Sequence, residues 1–280
     1  MSETVLRRTD LAPPGARPSA TARAAFLALL GRDLAVLRKD FAMFLGRTAM
    51  QPLLLVFVFT YVFPKIGQGI GGQAAEGFST LLVGGVIASA MIFQGIQAVA
   101  LPLVQEFGYT REIEDRVLAP LPVELVAVEK VAAGAVQGLL AASLVFPMAL
   151  FIPATDVHLD VNPVLLPAVL LLGAVMSASL GLWVGTRVEP RQVPLVFGLL
   201  VIPMTFLGAV YYPWQSLEAI RWLQVAVLIN PLVYLSEGLR SSLSTGVPHM
   251  PWGVVLAVMA AFTAVLLGSG VRGFRRRVLS

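Results

Sequence analysis

Residues 106–122, EFGYTREIEDRVLAPLP, set five charged side chains, Arg111, Glu112, Glu114, Asp115 and Arg116, between two apolar runs that are each long enough to cross a bilayer. Charge at this density does not reside in hydrocarbon. The segment therefore reads as a loop or short helix in water, pinned between two membrane spans and closed by Pro120 and Pro122. The side of the membrane it occupies decides what it can touch.

Composition supports the membrane reading. Of 280 residues, 57% are apolar and only 13% charged, and the mean hydropathy is +0.82; soluble domains carry about 25% charge. The apolar runs are about 20 residues long rather than about 10 with strict alternation, so the spans are helices and not barrel strands. The fold class is all-α integral membrane. The chain has no cysteine, and its two histidines, His158 and His249, lie far apart, so neither thiol chemistry nor a metal site is expected.

Residues 1–21 are rich in Pro, Arg and Ser (APPGARPSA) and read as a disordered cytoplasmic tail; a cleavable signal is not expected, because the first apolar run comes late and is interrupted by charge. Over 22–47, Phe26, Leu30, Leu34, Leu37, Phe41 and Leu45 recur at helical steps, with Arg23, Arg32, Arg38, Lys39 and Arg47 elsewhere on the surface. That pattern predicts an amphipathic helix in the membrane interface, its basic side toward anionic lipid headgroups. Six spans are predicted over 48–271, at about 48–66, 78–104, 125–152, 164–186, 193–212 and 251–271, followed by a basic tail at 272–280.

Seventeen of the 20 Lys and Arg residues fall on one side of this arrangement, leaving only Lys65, Arg221 and Arg240 on the other. The positive-inside rule then puts both termini and the connection 106–124 in the cytoplasm. Residues 213–250 form an unusual outer region. Leu217, Ile220, Leu223 and Val227 fall at helical spacing, Asn230-Pro231 breaks the pattern, and Glu237 and Arg240 sit three apart beyond the break. Two short re-entrant helices are expected there.

Small residues recur every fourth position in span four, at Gly173, Ser177, Gly181 and Gly185, and in span three at Gly134, Gly138 and Ala142. In lipid such ridges let helix backbones approach closely, and holding the fold together is their expected role. The middles of the spans lack the Asp, Glu, Lys or Arg that ion-coupled transport places there; Glu129 and Lys130 are predicted at the edge of span three. Gln94 and Gln97 on span two read as glue between helices or as the lining of a polar path. None of the three lysines follows a glycine, so the chain holds no Walker A loop, and ATP, if it powers this protein, is hydrolysed on another chain.

Three segments resemble the membrane subunits of ATP-binding cassette exporters of the type 2 permease superfamily, which includes drug-resistance, nodulation-factor and polysaccharide or lipid-export permeases. They are the basic helix running into LLLVFVFTYVFP, the segment EFGYTREIEDRVLAPLPVELVAVEKVAAG, and FLGAVYYPWQSLEAIRWLQVAVLINPLVYLSEGLR. Glu106, Gly108, Thr110, Glu112, Leu118 and Pro120 match the family's loop loosely, with Tyr109 inserted; Asn230, Pro231, Tyr234, Glu237 and Arg240 match its outer motif. The resemblance implies a dimer of permeases, either a homodimer of this chain or a pair with a related permease, in a bacterial cytoplasmic (inner) membrane, docked on cytoplasmic ATPase subunits that carry the ATP and Mg; no cofactor and no nucleic acid is expected in this chain. It further implies that Arg111, Glu112, Glu114, Asp115 and Arg116 couple to the ATPase. Gln94, Gln97, Pro203 and Phe206 would lie near the substrate path. Tyr211, Tyr212, Asn230, Pro231, Tyr234, Glu237 and Arg240 would line or gate the exit. The alternative is a membrane enzyme acting on a lipid-linked substrate, for which Asp156, His158 and Asp160 are the nearest polar cluster.

Overall fold

The computed structural model describes residues 18–66, 75–110, 121–154, 157–244 and 246–279, and these are helical with no strand among them. The chain opens with helix α1 (Pro18–Lys39), and span one follows at Phe41–Lys65. Span two is built on Ala75–Gln105, span three on Val123–Phe151, span four on Leu165–Gly185 and span six on Trp252–Leu279. These five spans are long and apolar enough to cross a membrane.

The amphipathic stripe does not run unbroken to Leu45. Asp40 leaves helical geometry (φ −102°, ψ 24°), so the chain turns there and residues 41–47 begin span one. Phe26, Leu30, Leu34 and Leu37 are half-buried along α1 as the pattern predicts. Past the break the inward positions become Phe44, Thr48, Pro52 and Val56, and Phe41 is exposed.

The fifth helix is shorter than expected. It covers Pro190–Phe206 instead of 193–212 and falls below the length of a full span. A turn at Leu207, Gly208 and Ala209 ends it, with Ala209 in the left-handed region (φ 53°). We call it span five from its place in the order. Residues 213–250 hold two helices, α7 (Trp214–Ile229) and α8 (Pro231–Leu243), which meet at 102°. The first part of α7 is a 3-10 helix (Trp214–Ile220), so the spacing drawn for an α-helix slips: Leu217 and Val227 are buried but Ile220 is exposed.

Span two is the most enclosed of the spans and packs against spans three and four and against α8. The small-residue ridge of span four faces it. A Cβ at Gly181 would stand 2.9 Å from the carbonyl oxygens of Gly95 and Ile96, and one at Gly185 would stand 3.0 Å from the Ala100 Cα. Backbone contact at that range is what the ridge provides.

Three π-helical turns, at Phe57–Val62, Glu106–Thr110 and Phe197–Val201, each lie within a turn of a proline. Proline removes a donor and pushes back the carbonyl four residues before it. For Pro64 that carbonyl is Thr60, which instead accepts from the Ala154 amide at 2.9 Å. A helix defect in span one thereby becomes an anchor for the chain leaving span three.

Candidate functional site

Two clusters of charge stand at opposite ends of the helix bundle. The first holds the roots of the 111–120 loop. Lys130 Nζ meets Glu106 Oε1 at 2.6 Å and Asp33 Oδ2 at 3.6 Å, which ties span three to the end of span two and to α1. Lys130, Glu106 and Glu129 are all buried, whereas the sequence places Glu106 in an aqueous loop and Glu129 and Lys130 at the cytoplasmic edge of span three. Asp33 of α1 and Glu106 of the π-helical turn close over Lys130. A groove of about 510 Å³, lined by Arg32, Asp33, Asp40, Arg47, Glu106 and Lys130 among others, adjoins the cluster.

The next residues of the root are held as firmly. The Phe107 ring packs edge-on against Phe274 with centroids 5.7 Å apart, and the Arg277 guanidinium lies 4.8 Å over its face. Arg277 also donates to the carbonyls of Gly185 at 3.3 Å and Val188 at 3.2 Å. Gly108 lies so close to Pro190 that a Cβ would overlap the ring. On the far root Leu121 is buried, and Glu124 pairs with Arg275 at 3.4 Å on the surface. The loop is thus rooted on α1, on spans two, three and six, and on the turn between spans four and five. The coupling residues themselves, Arg111, Glu112, Glu114, Asp115 and Arg116, lie outside the described residues.

The Glu106–Lys130 pair was not foreseen. The available signal was an acid and a base placed just inside the two spans on either side of the charged loop, where antiparallel neighbours come level.

The second cluster, at the other end, is built on α8. Arg240 Nη1 donates to Glu237 Oε1 at 2.6 Å with both side chains fully buried. Glu237 Oε1 also accepts from the Trp214 amide at 2.9 Å, and Oε2 accepts from the Met250 amide at 2.8 Å. Arg240 Nη2 donates to the carbonyl of Ala209 at 2.9 Å. One ion pair therefore fixes the start of α7, the approach to span six and the turn that ends span five. Gly84 and Gly85 of span two let this turn and α8 press against the span, since a Cβ at Gly84 would stand 2.9 Å from the Arg240 amide nitrogen. Asn230 caps α8 by accepting from the Leu232 amide at 3.0 Å, and donates to the Met204 carbonyl at 2.8 Å; Pro231 follows at the first helical position. Tyr234 donates to the Leu228 carbonyl at 3.0 Å, and Tyr212 to that of Phe206 at 3.3 Å. Burial raises the pKa of the Tyr211 and Tyr212 hydroxyls, so both remain neutral donors near pH 7.

Between the clusters, Gln94 is 2% exposed and clasps three spans. It accepts from Thr48 Oγ1 of span one at 3.1 Å and donates to Gln137 Oε1 of span three at 3.2 Å. A cavity of about 20 Å³ beside it, reached by Gln51, Ser89 and Gln97, has room for one water. Pro203 and Phe206 are not brought to this niche. They lie exposed on span five, and Phe206 packs against Tyr211, which in turn meets Phe59 of span one. His158 and Asp160 are exposed, Asp156 falls outside the described residues, and no group of metal-ligating side chains occurs among those described.

Residues 24–244 match the ABC-2 type transporter family, a span that takes in most of α1, both buried ion pairs and the niche. The chain belongs to that family. It is 28% identical over 231 residues to the inner membrane transport permease YadH of Escherichia coli K12, an alignment that covers 77% of this chain and 84% of the relative. The YadH of Shigella flexneri aligns with the same figures. Membership makes this chain a membrane component of a transporter of the ATP-binding cassette class, whose general partner is an ATP-binding cassette ATPase.

Proposed function

We propose that this protein is the permease subunit of an ATP-driven exporter that moves an amphipathic drug, lipid, glycolipid or polysaccharide out of the cytoplasm or the inner leaflet. A separate cytoplasmic ATPase docks on the 111–120 loop, and two copies of the permease enclose the path. Both termini lie in the cytoplasm of a bacterial cell, as the distribution of Lys and Arg requires. Span five completes a six-span topology, and α7 and α8 dip back into the outer leaflet. The niche at Gln94 and Gln97 and the exposed Pro203 and Phe206 of span five face the path between protomers. Tyr211, Tyr212, Asn230, Pro231, Tyr234, Glu237 and Arg240 form its outer wall.

The rooting of the loop carries this reading. A push on residues 111–120 reaches α1 and spans two, three and six at once through Glu106, Phe107 and Gly108, with no soft segment at the entry root. Reversing charge at Glu112, Glu114 and Asp115 is expected to abolish both transport and stimulation of the ATPase while membrane insertion stays normal. Unchanged transport by that variant would remove the coupling role.

A further inference from the structure

Arginines gather where spans four and six meet at the loop end of the bundle. The Arg187 guanidinium lies 4.6 Å over the Trp183 ring and donates to the carbonyls of Trp183 at 3.0 Å and Ser269 at 3.5 Å. Arg276 is exposed and makes no hydrogen bond or ion pair with the described residues. Together with Arg277, Thr186, Glu189 and Gly273 they line an open pocket of about 510 Å³. Glu189 is the one acid in that lining, and its carboxylate already caps the turn at Pro190–Gln192. Carbonyls and an aromatic face thus hold Arg187 in place, and among the described residues no carboxylate pairs with it. Cations that line one pocket repel one another, and an anion among them relieves that repulsion.

A second cavity begins one turn deeper. It is an apolar groove of about 590 Å³, lined by Leu180 and Trp183 of span four, Pro203 and Met204 of span five, and Phe262 and Leu266 of span six, with part of α7 beyond. Arg187 and Leu180 are seven residues apart and Gly273 and Phe262 eleven, so the groove extends about 10–16 Å from the basic pocket along both helices. Trp183 links the two: its ring carries the Arg187 guanidinium of the basic pocket, and the residue lines the groove.

We propose that this pair of cavities binds one anionic phospholipid from the adjoining leaflet, with its phosphate on Arg187 and Arg276 and an acyl chain in the groove. A basic pocket between spans selects acidic headgroups, and the groove supplies the apolar contact that a free anion would not use. A soluble subunit reaches the arginines but not the groove, which favours lipid over a protein partner. The site is separate from the niche at Gln94 and shares Pro203 with the path proposed above; it does not depend on what is exported or in which direction.

The full-length chain, purified in neutral detergent, is titrated with dioleoylphosphatidylglycerol, dioleoylphosphatidylcholine and inorganic phosphate, and bound lipid is counted by native mass spectrometry. One phosphatidylglycerol per chain is expected to bind at least about tenfold more tightly than phosphatidylcholine, and Arg187→Gln with Arg276→Gln to weaken it about 30-fold, five- to sixfold per arginine. Arg272→Gln, on an exposed neighbour, leaves affinity unchanged, and Leu266→Trp, which fills the groove, weakens both lipids. If the double variant fails to insert, Arg276→Gln alone is expected to give the single-arginine loss of about fivefold. Equal affinity for the two lipids overturns the proposal. Phosphate that binds as tightly as phosphatidylglycerol reduces the site to one for free anions. If the arginine variants keep their lipid but no longer recover the ATPase in a pulldown, the pocket is a partner contact.

Discussion

The two buried ion pairs make different use of the same chemistry. Glu237–Arg240 lies in a dry setting where the carboxylate accepts two backbone amides as well as the guanidinium, and the arginine reaches a carbonyl on a third segment. Glu106–Lys130 lies beside an open groove, with a second acid, Asp33, 3.6 Å from the ammonium. The first pair is fixed by backbone groups at Ala209, Trp214 and Met250 and holds irregular backbone together. In the second, an ammonium with two carboxylates in reach can shift its weight between α1 and the loop root at small cost. The exporter proposed above would use both, a rigid outer wall and an adjustable connection at the end where the ATPase docks.

Four substitutions sharpen or break that contrast. Arg240→Met leaves the Glu237 carboxylate charged and without its cation, at a cost of about 3–5 kcal/mol, so the protein is expected to be degraded or to insert poorly, as measured by its level in membranes. Normal levels would show that the outer pair is not a structural lock. Lys130→Met is expected to keep insertion but lower ATPase stimulation about tenfold, since the groove lets water reach Glu106 once its cation is gone. If it aggregates as Arg240→Met does, the two pairs are alike and the contrast fails. Gln94→Leu removes hydrogen bonds to spans one and three and is expected to lower thermal stability by about 1 kcal/mol in detergent. Asp33→Asn weakens the longer contact to Lys130, and the expected loss in stability from that contact is about 0.5 kcal/mol or less. A larger effect would make Asp33, and not Glu106, the main partner of Lys130.

Five spans were legible because runs of about 20 apolar residues have one stable solution in lipid. The small-residue ridges were legible for the same reason: Gly181 and Gly185 have no use on a lipid-facing surface. What escaped the sequence depended on backbone geometry. Neither the turn at Asp40 nor the early end of span five is encoded by hydropathy; Phe41 looks apolar in either register, and Ala209 carries no mark of its positive φ. Glu237 and Arg240 could be paired from their spacing, but their partners are backbone groups at 209, 214 and 250, which have no side-chain signature. The burial of Glu129 and Lys130 is a tertiary effect of α1 folding over the loop root. The charged loop was the plainest feature of the sequence, and the structure describes its roots.

Span five rises about 25 Å over Pro190–Phe206, against about 30 Å for a hydrocarbon core. A bilayer meeting a helix of that length pinches inward to match it. In the six-span arrangement proposed above, the two leaflets would draw together along this flank, and a polar head moving between them would have less oil to cross there.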